Sequence, residues 1–337
     1  MSDPGIRATD RGVTAVERRL RKIYRQAERD LMAELRGFNM RFAARDNEMR
    51  EKVKAGILTE SQYKAWQKNA VYRGRIWDSK VENCTKILES SNRQALNIIR
   101  GQQMEVFAEN ATYQSYLLET GAGINMNLGI YNPKTVGNLI RKQPELLPRK
   151  VVDGVKDRAW NRDKIANCIT QGIIKGDSIP QISQNMATTL SMQNDATMVR
   201  YARTAMTSAQ NAGRIEVMEE AEEAGVNVKK KWIATLDSRT RDAHQDLDGQ
   251  VVPVKESFTV EFDGQTVTID YPGDPSCSEP GMVYNCRCTL GYVVDGETGG
   301  QRRAYREWED EDGKHHRQSY IIENMTYNEW KRWKEGR

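Results

Sequence analysis

No stretch of about eighteen uncharged apolar residues occurs anywhere in the chain, which excludes a membrane-spanning helix. The opening run MSDPGIRATDRG has no apolar core, so it does not read as a secretory leader, and the protein is expected to stay where it is made. Cysteine is sparse: Cys84, Cys168, Cys277, Cys286 and Cys288 are the only five, an odd number spread over a long chain. A disulfide framework needs an even, dense set, so reduced thiols in a reducing compartment are expected, with Cys84 and Cys168 acting as small core hydrophobes. Histidine is scarcer still, with His244 ahead of the tail and His315 and His316 within it.

What is present in quantity is charge. Of 337 residues 29% are charged and 38% are hydrophobic, which supports two or three modest cores with much surface left over. The net charge of +4 hides an asymmetry. Residues 1–100 hold 22 Lys and Arg against 13 Asp and Glu, whereas the remainder holds 29 against 34. A basic first third suits contact with nucleic acid or an acidic protein surface; interleaved Glu and Asp suit an ordinary solvated helix face equally well.

Apolar residues at Val13, Val16, Leu20, Ile23, Ala27, Leu31, Leu35, Phe38 and Phe42 recur in steps of three and four, the period of one helical stripe. That predicts a rod of about 45 Å, which must bury its stripe against a partner helix in this chain or another. Gly56 breaks the run, and Thr59-Glu60-Ser61-Gln62 reads as a capping box opening a second rod. The stripe Tyr63, Trp66, Ala70, Trp77, Val81, Cys84, Leu88, Ala95, Ile99 continues it, and the two rods suit a helical hairpin. Gly121 and Gly123 lack the third glycine and the Gly-Lys-Ser/Thr of a phosphate loop, so residues 119–133 are read as a loop. Helices resume after Pro133, between 153 and 175, from Ser178, and from about Asp195 to Ala224, where Gly225 ends the last one.

Beyond Gly225 the texture changes. Residues 230–235 read as a strand, Asp237 as the cap of a short helix, and Asp263-Gly264 as the turn of a hairpin between 258–262 and 265–269. The predicted organisation is a long-helix arm over 1–112, a helical body over 113–229, a small α+β unit over 230–293, and a linker with an aromatic, basic tail over 294–337. The fold class is mainly α with that small α+β domain. In the tail, Trp308, Trp330 and Trp333 lie among Lys and Arg, suited to docking on another subunit, on DNA, or back on the chain's own body.

The densest cluster of reactive side chains is His244 with Cys277, Cys286 and Cys288. One imidazole and three thiols match a closed, structural zinc site; without metal, His244 and Asn285 would be hydrogen-bonding core residues and the cysteines packed thiols. Enzyme readings fit poorly. His244-Gln245-Asp246 and Asn285-Cys286-Arg287-Cys288 both miss the deaminase pattern. Cys286, His244 and Asn285 can be written as a protease trio, and Asp237, Asp242 and Asp274 as a nuclease set, yet nothing sets either apart from structural residues.

The run Tyr201-Ala-Arg203-Thr204, Asn211-Ala-Gly-Arg214, Lys231-Trp232, Asp237-Ser-Arg239-Thr-Arg241, His244 and Gly249 resembles the tailed-phage minor head proteins, also called Mu F-like or head morphogenesis proteins. Pro272-Gly-Asp274-Pro275 and Asn285-Cys286-Arg-Cys288 are similar to that family's closing motif, and the likeness covers about residues 165–290. The resemblance provides for no cysteine at Cys277. It implies a non-enzymatic protein inside the virion head, made in the host cytoplasm, oligomeric in the assembly. The implied partners are the portal protein and capsid or scaffolding proteins, with packaged double-stranded DNA as a further one. Some family members carry C-terminal toxin domains, and the roughly 45 residues after the motif are too few for one. A nucleic-acid-binding protein outside the virion and a zinc or thiol enzyme centred on Cys286 are the competing expectations.

Overall fold

The computed structural model describes residues 3–72, 75–121, 128–142, 154–235, 239–294, 302–309 and 315–322. The elements are α1 (Pro4–Lys54), α2 (Glu60–Tyr72), α3 (Arg75–Gly121), α4 (Pro133–Lys142), α5 (Gly154–Lys175), α6 (Ile179–Glu223), β1 (Val228–Ile233), α7 (Asp242–Leu247), β2 (Val251–Pro253), β3 (Phe258–Phe262), β4 (Gln265–Ile269), α8 (Pro280–Val283), β5 (Thr289–Val294), β6 (Arg302–Glu309) and β7 (His315–Ile322). The fold is mainly helical with a small α+β region, as expected. No helix among the described residues is long and apolar enough to cross a membrane.

The chain divides into two compact units. One holds residues 16–98 and 150–199; the other holds 1–15, 99–149 and 200–337. The first unit is all helix. Its core joins Leu31 and Leu35 of α1, Cys84 and Leu88 of α3, Ile165, Ile169 and Ile173 of α5, and Ile179, Ile182, Met186 and Leu190 of α6. The stripe of α1 is therefore covered within the chain. It runs Val16, Leu20, Tyr24, Ala27, Leu31, Leu35, all buried. Tyr24 takes the place expected of Ile23, because its hydroxyl donates to Asn92 Oδ1 at 2.6 Å. Asn92 in turn donates to Asn194 Oδ1 at 3.0 Å, so three buried polar side chains satisfy one another across α1, α3 and α6.

Two helix starts in this unit carry reciprocal caps, the first of them the one the sequence indicates. Gln62 N–H donates to Thr59 Oγ1 and Thr59 N–H to Gln62 Oε1. Ser178 and Gln181 form the same reciprocal pair at the start of α6. Buried Asp46 accepts from Tyr63 Oη at 2.8 Å and from Ile179 N–H at 3.4 Å.

Two expectations change. α1 extends over 51 residues, longer than the rod of about 45 Å that the stripe predicts, and Gly37 within it costs such a helix only about 1 kcal/mol. The helices expected from Ser178 and from Asp195 are one element, α6, ended by Gly225 at φ +89°. In the tail, β6 and β7 pair antiparallel from Arg302↔Ile322 to Glu309↔His315. Trp308 thus sits in a strand; of the expected linker over 294–300, Val294 ends β5, and the rest of it, with Trp330 and Trp333, lies outside the described residues.

In the second unit, the sheet order is β2-β1-β5 with both pairings antiparallel. The β3–β4 hairpin turns at Asp263 (φ 50°) and Gly264 (φ 76°), the left-handed pair that a two-residue turn requires. Ala202, Ala205, Ala209 and Ala212 of α6 are fully buried. A Cβ at Gly213 would meet Phe107 O at 2.5 Å, so α3 and α6 approach backbone to backbone there.

Candidate functional site

A strip of polar side chains on α6 holds the site in place. Thr204, Thr207, Asn211 and Arg214 follow one another at steps of three and four, so they share one helix face. Each binds main chain of the segment leading into β5. Asn285 N–H donates to Thr204 Oγ1 at 3.1 Å, and Thr207 Oγ1 donates to Cys286 O at 2.7 Å. Asn211 donates to Pro272 O and Cys288 O and accepts from Leu290 N–H at 2.9 Å. Arg214 donates to Leu290 O at 2.9 Å, to Asn110 Oδ1 at 3.2 Å and, in bidentate fashion at 2.8 Å, to Asp3. A turn cannot satisfy its own main-chain groups as a helix does, and these side chains supply the missing partners.

Held this way, the Cys-x-Cys segment presents both thiols to one side. Asn285 just before it adopts a left-handed φ of +54°, and residues two apart in an extended chain face the same way. His244, on α7, comes from the opposite side. Its Nδ1 lies 3.4 Å from Cys288 Sγ and 3.7 Å from Cys286 Sγ, while Nε2 lies 3.0 Å from Met282 O. The three donor atoms fall within 4.8 Å of one another, and each residue is 2% exposed.

Trp232 closes the group from β1, edge-on to the His244 ring at 5.7 Å and to Phe258 at 5.3 Å. The two thiols are inequivalent. Cys286 donates its S–H to Cys288, which with imidazole contact holds Cys288 well below the usual thiol range against the effect of burial. The same hydrogen bond and burial push Cys286 up.

The other expected residues disperse. Cys277 is not among the converging donors; its thiol faces Glu279 O at 3.8 Å and burial raises its pKa. Asn285, expected as a hydrogen-bonding core side chain, is exposed, and its contribution is the backbone turn. Asp274 is buried and accepts from Asp270 N–H, Ser276 N–H and Ser276 Oγ, the behaviour of a loop-folding cap. Gly249 at φ +81° donates its N–H to Trp232 O. Arg241 reaches Tyr284 O at 2.6 Å, whereas Arg203 and Arg239 are exposed. Asp237 lies outside the described residues.

Two contributors escaped the sequence. Thr207 carries no motif of its own, and only its register with Thr204 and Asn211 marks it. Lys230 alternates with Val228 and Trp232 and so points inward; it is 1% exposed, 5.4 Å from the Phe258 ring. Burial lowers its pKa, opposed by Asp270 and Glu219.

The Phage Mu protein F like family matches residues 163–291, the stretch that contains α6, the sheet and the His/Cys group. The chain is 30% identical over 232 residues to Minor head protein GP7 of Bacillus phage SPP1, covering 68% of this chain and 70% of that protein. It is 29% identical over 254 residues to NAD(+)--arginine ADP-ribosyltransferase EFV of Enterococcus faecalis (strain ATCC 700802 / V583), covering 75% of this chain and 48% of that protein. An uncharacterized protein of Bacillus subtilis (strain 168), YqbB, is 28% identical over 169 residues, 46% of this chain and 52% of its own. The chain thus spans about half the length of these last two. No solved structure matches it. With a phage minor head protein aligned over two thirds of both chains, this protein belongs to the Phage Mu protein F like family of phage head morphogenesis proteins.

Proposed function

We propose that the chain is a minor head protein of a tailed phage, held inside the head near the portal, supporting head assembly and DNA packaging or delivery. The observation that carries this reading is the match to the SPP1 minor head protein over most of both sequences. Portal, shell and scaffolding proteins are its proposed partners.

Contact with packaged DNA is the finer part of the proposal, and one face of α1 supports it. Arg18, Arg19, Arg21, Lys22, Arg25, Arg29 and Arg36 are all exposed. Two acidic residues of the same stretch are drawn inward, Glu28 accepting from Thr188 and Glu34 from Lys80 and Asn83, while Asp30 stays exposed and Glu17 lies 3.9 Å from Arg21. Phosphate contacts from such a face give affinity without sequence preference and release counterions.

We take the His244–Cys286–Cys288 group as architecture, not as a reacting centre, because all three side chains are buried. The matches to GP7 and to EFV are long enough that they must overlap on this chain, and we assign the shared stretch to head assembly. Incubation of the full chain with NAD+ and an arginine-bearing protein is expected to leave both unchanged; transfer of ADP-ribose would reverse that assignment.

The test is a mass-spectrometric inventory of gradient-purified heads, which should contain the chain at low copy. Absence from heads, with the chain recovered free on nucleic acid, would favour the non-virion reading. For the DNA clause, binding of the full chain to duplex DNA across a salt series should fall steeply. Joint Arg18→Gln, Arg21→Gln and Arg25→Gln substitution should reduce the log–log slope by about three; a flat response removes the clause.

A further inference from the structure

We propose that His244, Cys286 and Cys288 bind one zinc ion, which staples α7 to the turn ahead of β5. The proposal rests on donor geometry and does not depend on the role in the head.

Zinc binds thiolate sulfur at about 2.3 Å and imidazole nitrogen at about 2.0–2.1 Å, so a tetrahedral site spaces its nitrogen and sulfur donors about 3.5 Å apart. His244 Nδ1 stands 3.4 and 3.7 Å from the two sulfurs, which places the three donors along the edges of such a tetrahedron. Met282 O can only accept, so Nε2 carries the proton and Nδ1 is the ring atom facing the sulfurs. An outward N–H held by a carbonyl is the usual support of a metal-bound histidine.

Main-chain amides also point at the sulfurs. Cys288 N–H donates to Cys286 Sγ at 3.4 Å, and the backbone of Thr235 hydrogen-bonds Cys288. Amide donors aimed at sulfur offset the negative charge that a metal-bound thiolate carries. Trp232, edge-on to the imidazole, shields the group. The borderline-soft set of one imidazole and two thiolates selects zinc over magnesium or calcium. Among the described residues the chain supplies three donors and leaves the fourth position of the tetrahedron open, since Cys277 is engaged elsewhere. His244 precedes Cys286 and Cys288 by 42 and 44 residues, so the ion closes a loop that contains β2, the β3–β4 hairpin and α8.

The full chain, purified under reducing conditions without chelator, should contain close to one zinc per chain by elemental analysis. Cobalt substitution should give a thiolate-to-metal charge-transfer band with tetrahedral d–d absorption. Cys286→Ser or Cys288→Ser should lower metal content about tenfold or more, while Cys277→Ser leaves it unchanged. Should the serine variants fail to fold, the wild-type zinc content and cobalt spectrum decide alone. Trace metal only, a cobalt spectrum without thiolate bands, or an intact mass two hydrogens lighter (a Cys286–Cys288 disulfide) would overturn the proposal.

Discussion

The all-helical unit and the unit bearing the His/Cys group are held by different means. In the first, the core is mainly side chain on side chain: Leu31, Leu35, Leu88 and Ile169 interlock, and Tyr24, Asn92 and Asn194 bond one another. Side-chain to main-chain bonds there, such as Gln67 donating to Asp177 O and Asp46 accepting from Ile179 N–H, cluster at the start of α6. In the second, side chains of α6 meet main chain: Thr207 binds Cys286 O, Asn211 binds Pro272 O and Cys288 O, Arg214 binds Leu290 O. A helix satisfies its own backbone and asks only for an apolar face to be covered. A turn-rich segment asks for hydrogen-bond partners, and loses its shape when they are removed.

The largest breaks should come from Arg214→Ala and Leu88→Ala. The first strands Asn110 and Leu290 O in a buried setting and leaves partly exposed Asp3 without its guanidinium, and a loss of about 3 kcal/mol is expected in denaturant unfolding. Leu88→Ala should cost about 3 kcal/mol through a cavity in the helical unit, with the reactivity of Cys286 and Cys288 toward thiol reagents unchanged if the two regions are independently supported. Thr207→Val keeps the volume but removes the bond to Cys286 O. About 1–2 kcal/mol should be lost, and thiol exposure should rise.

The smallest effect is a pH dependence. Burial pushes the Glu216 carboxyl up to about 7 from an ordinary 4.5, and Glu219, Glu220 and Glu223 reinforce it. The folded protein therefore keeps a proton that the unfolded chain releases, and this group's contribution to stability falls as pH rises from about 4.5 to 7. With the group half-buried, Glu216→Gln should raise stability at pH 8 by about 1 kcal/mol and leave it little changed at pH 4.

The same contrast decides what was legible beforehand. The stripe of α1, the Thr59–Gln62 cap, the Asp263-Gly264 hairpin and the end of α6 at Gly225 all follow from local periodicity or local backbone demands. Tyr24 in place of Ile23 does not, because its partner Asn92 is 68 residues away. In the tail, the tryptophans among Lys and Arg suggest docking and say nothing of the pairing of the two runs that form β6 and β7, on either side of Asp312-Gly313. At the site, His244, Cys286 and Cys288 are visible as reactive side chains, and spacing alone grouped Cys277 with them. Their support was invisible, since a threonine that binds a carbonyl 79 residues on looks like any other threonine in a helix.

Hydrogen exchange on the full chain, with zinc and then with chelator, tests the central claim most directly. The account predicts that chelation strips protection from residues 242–247 and 286–290 while the amides around Leu31, Leu88 and Ile169 keep theirs. Uniform loss across both units, or no change in either, would contradict it.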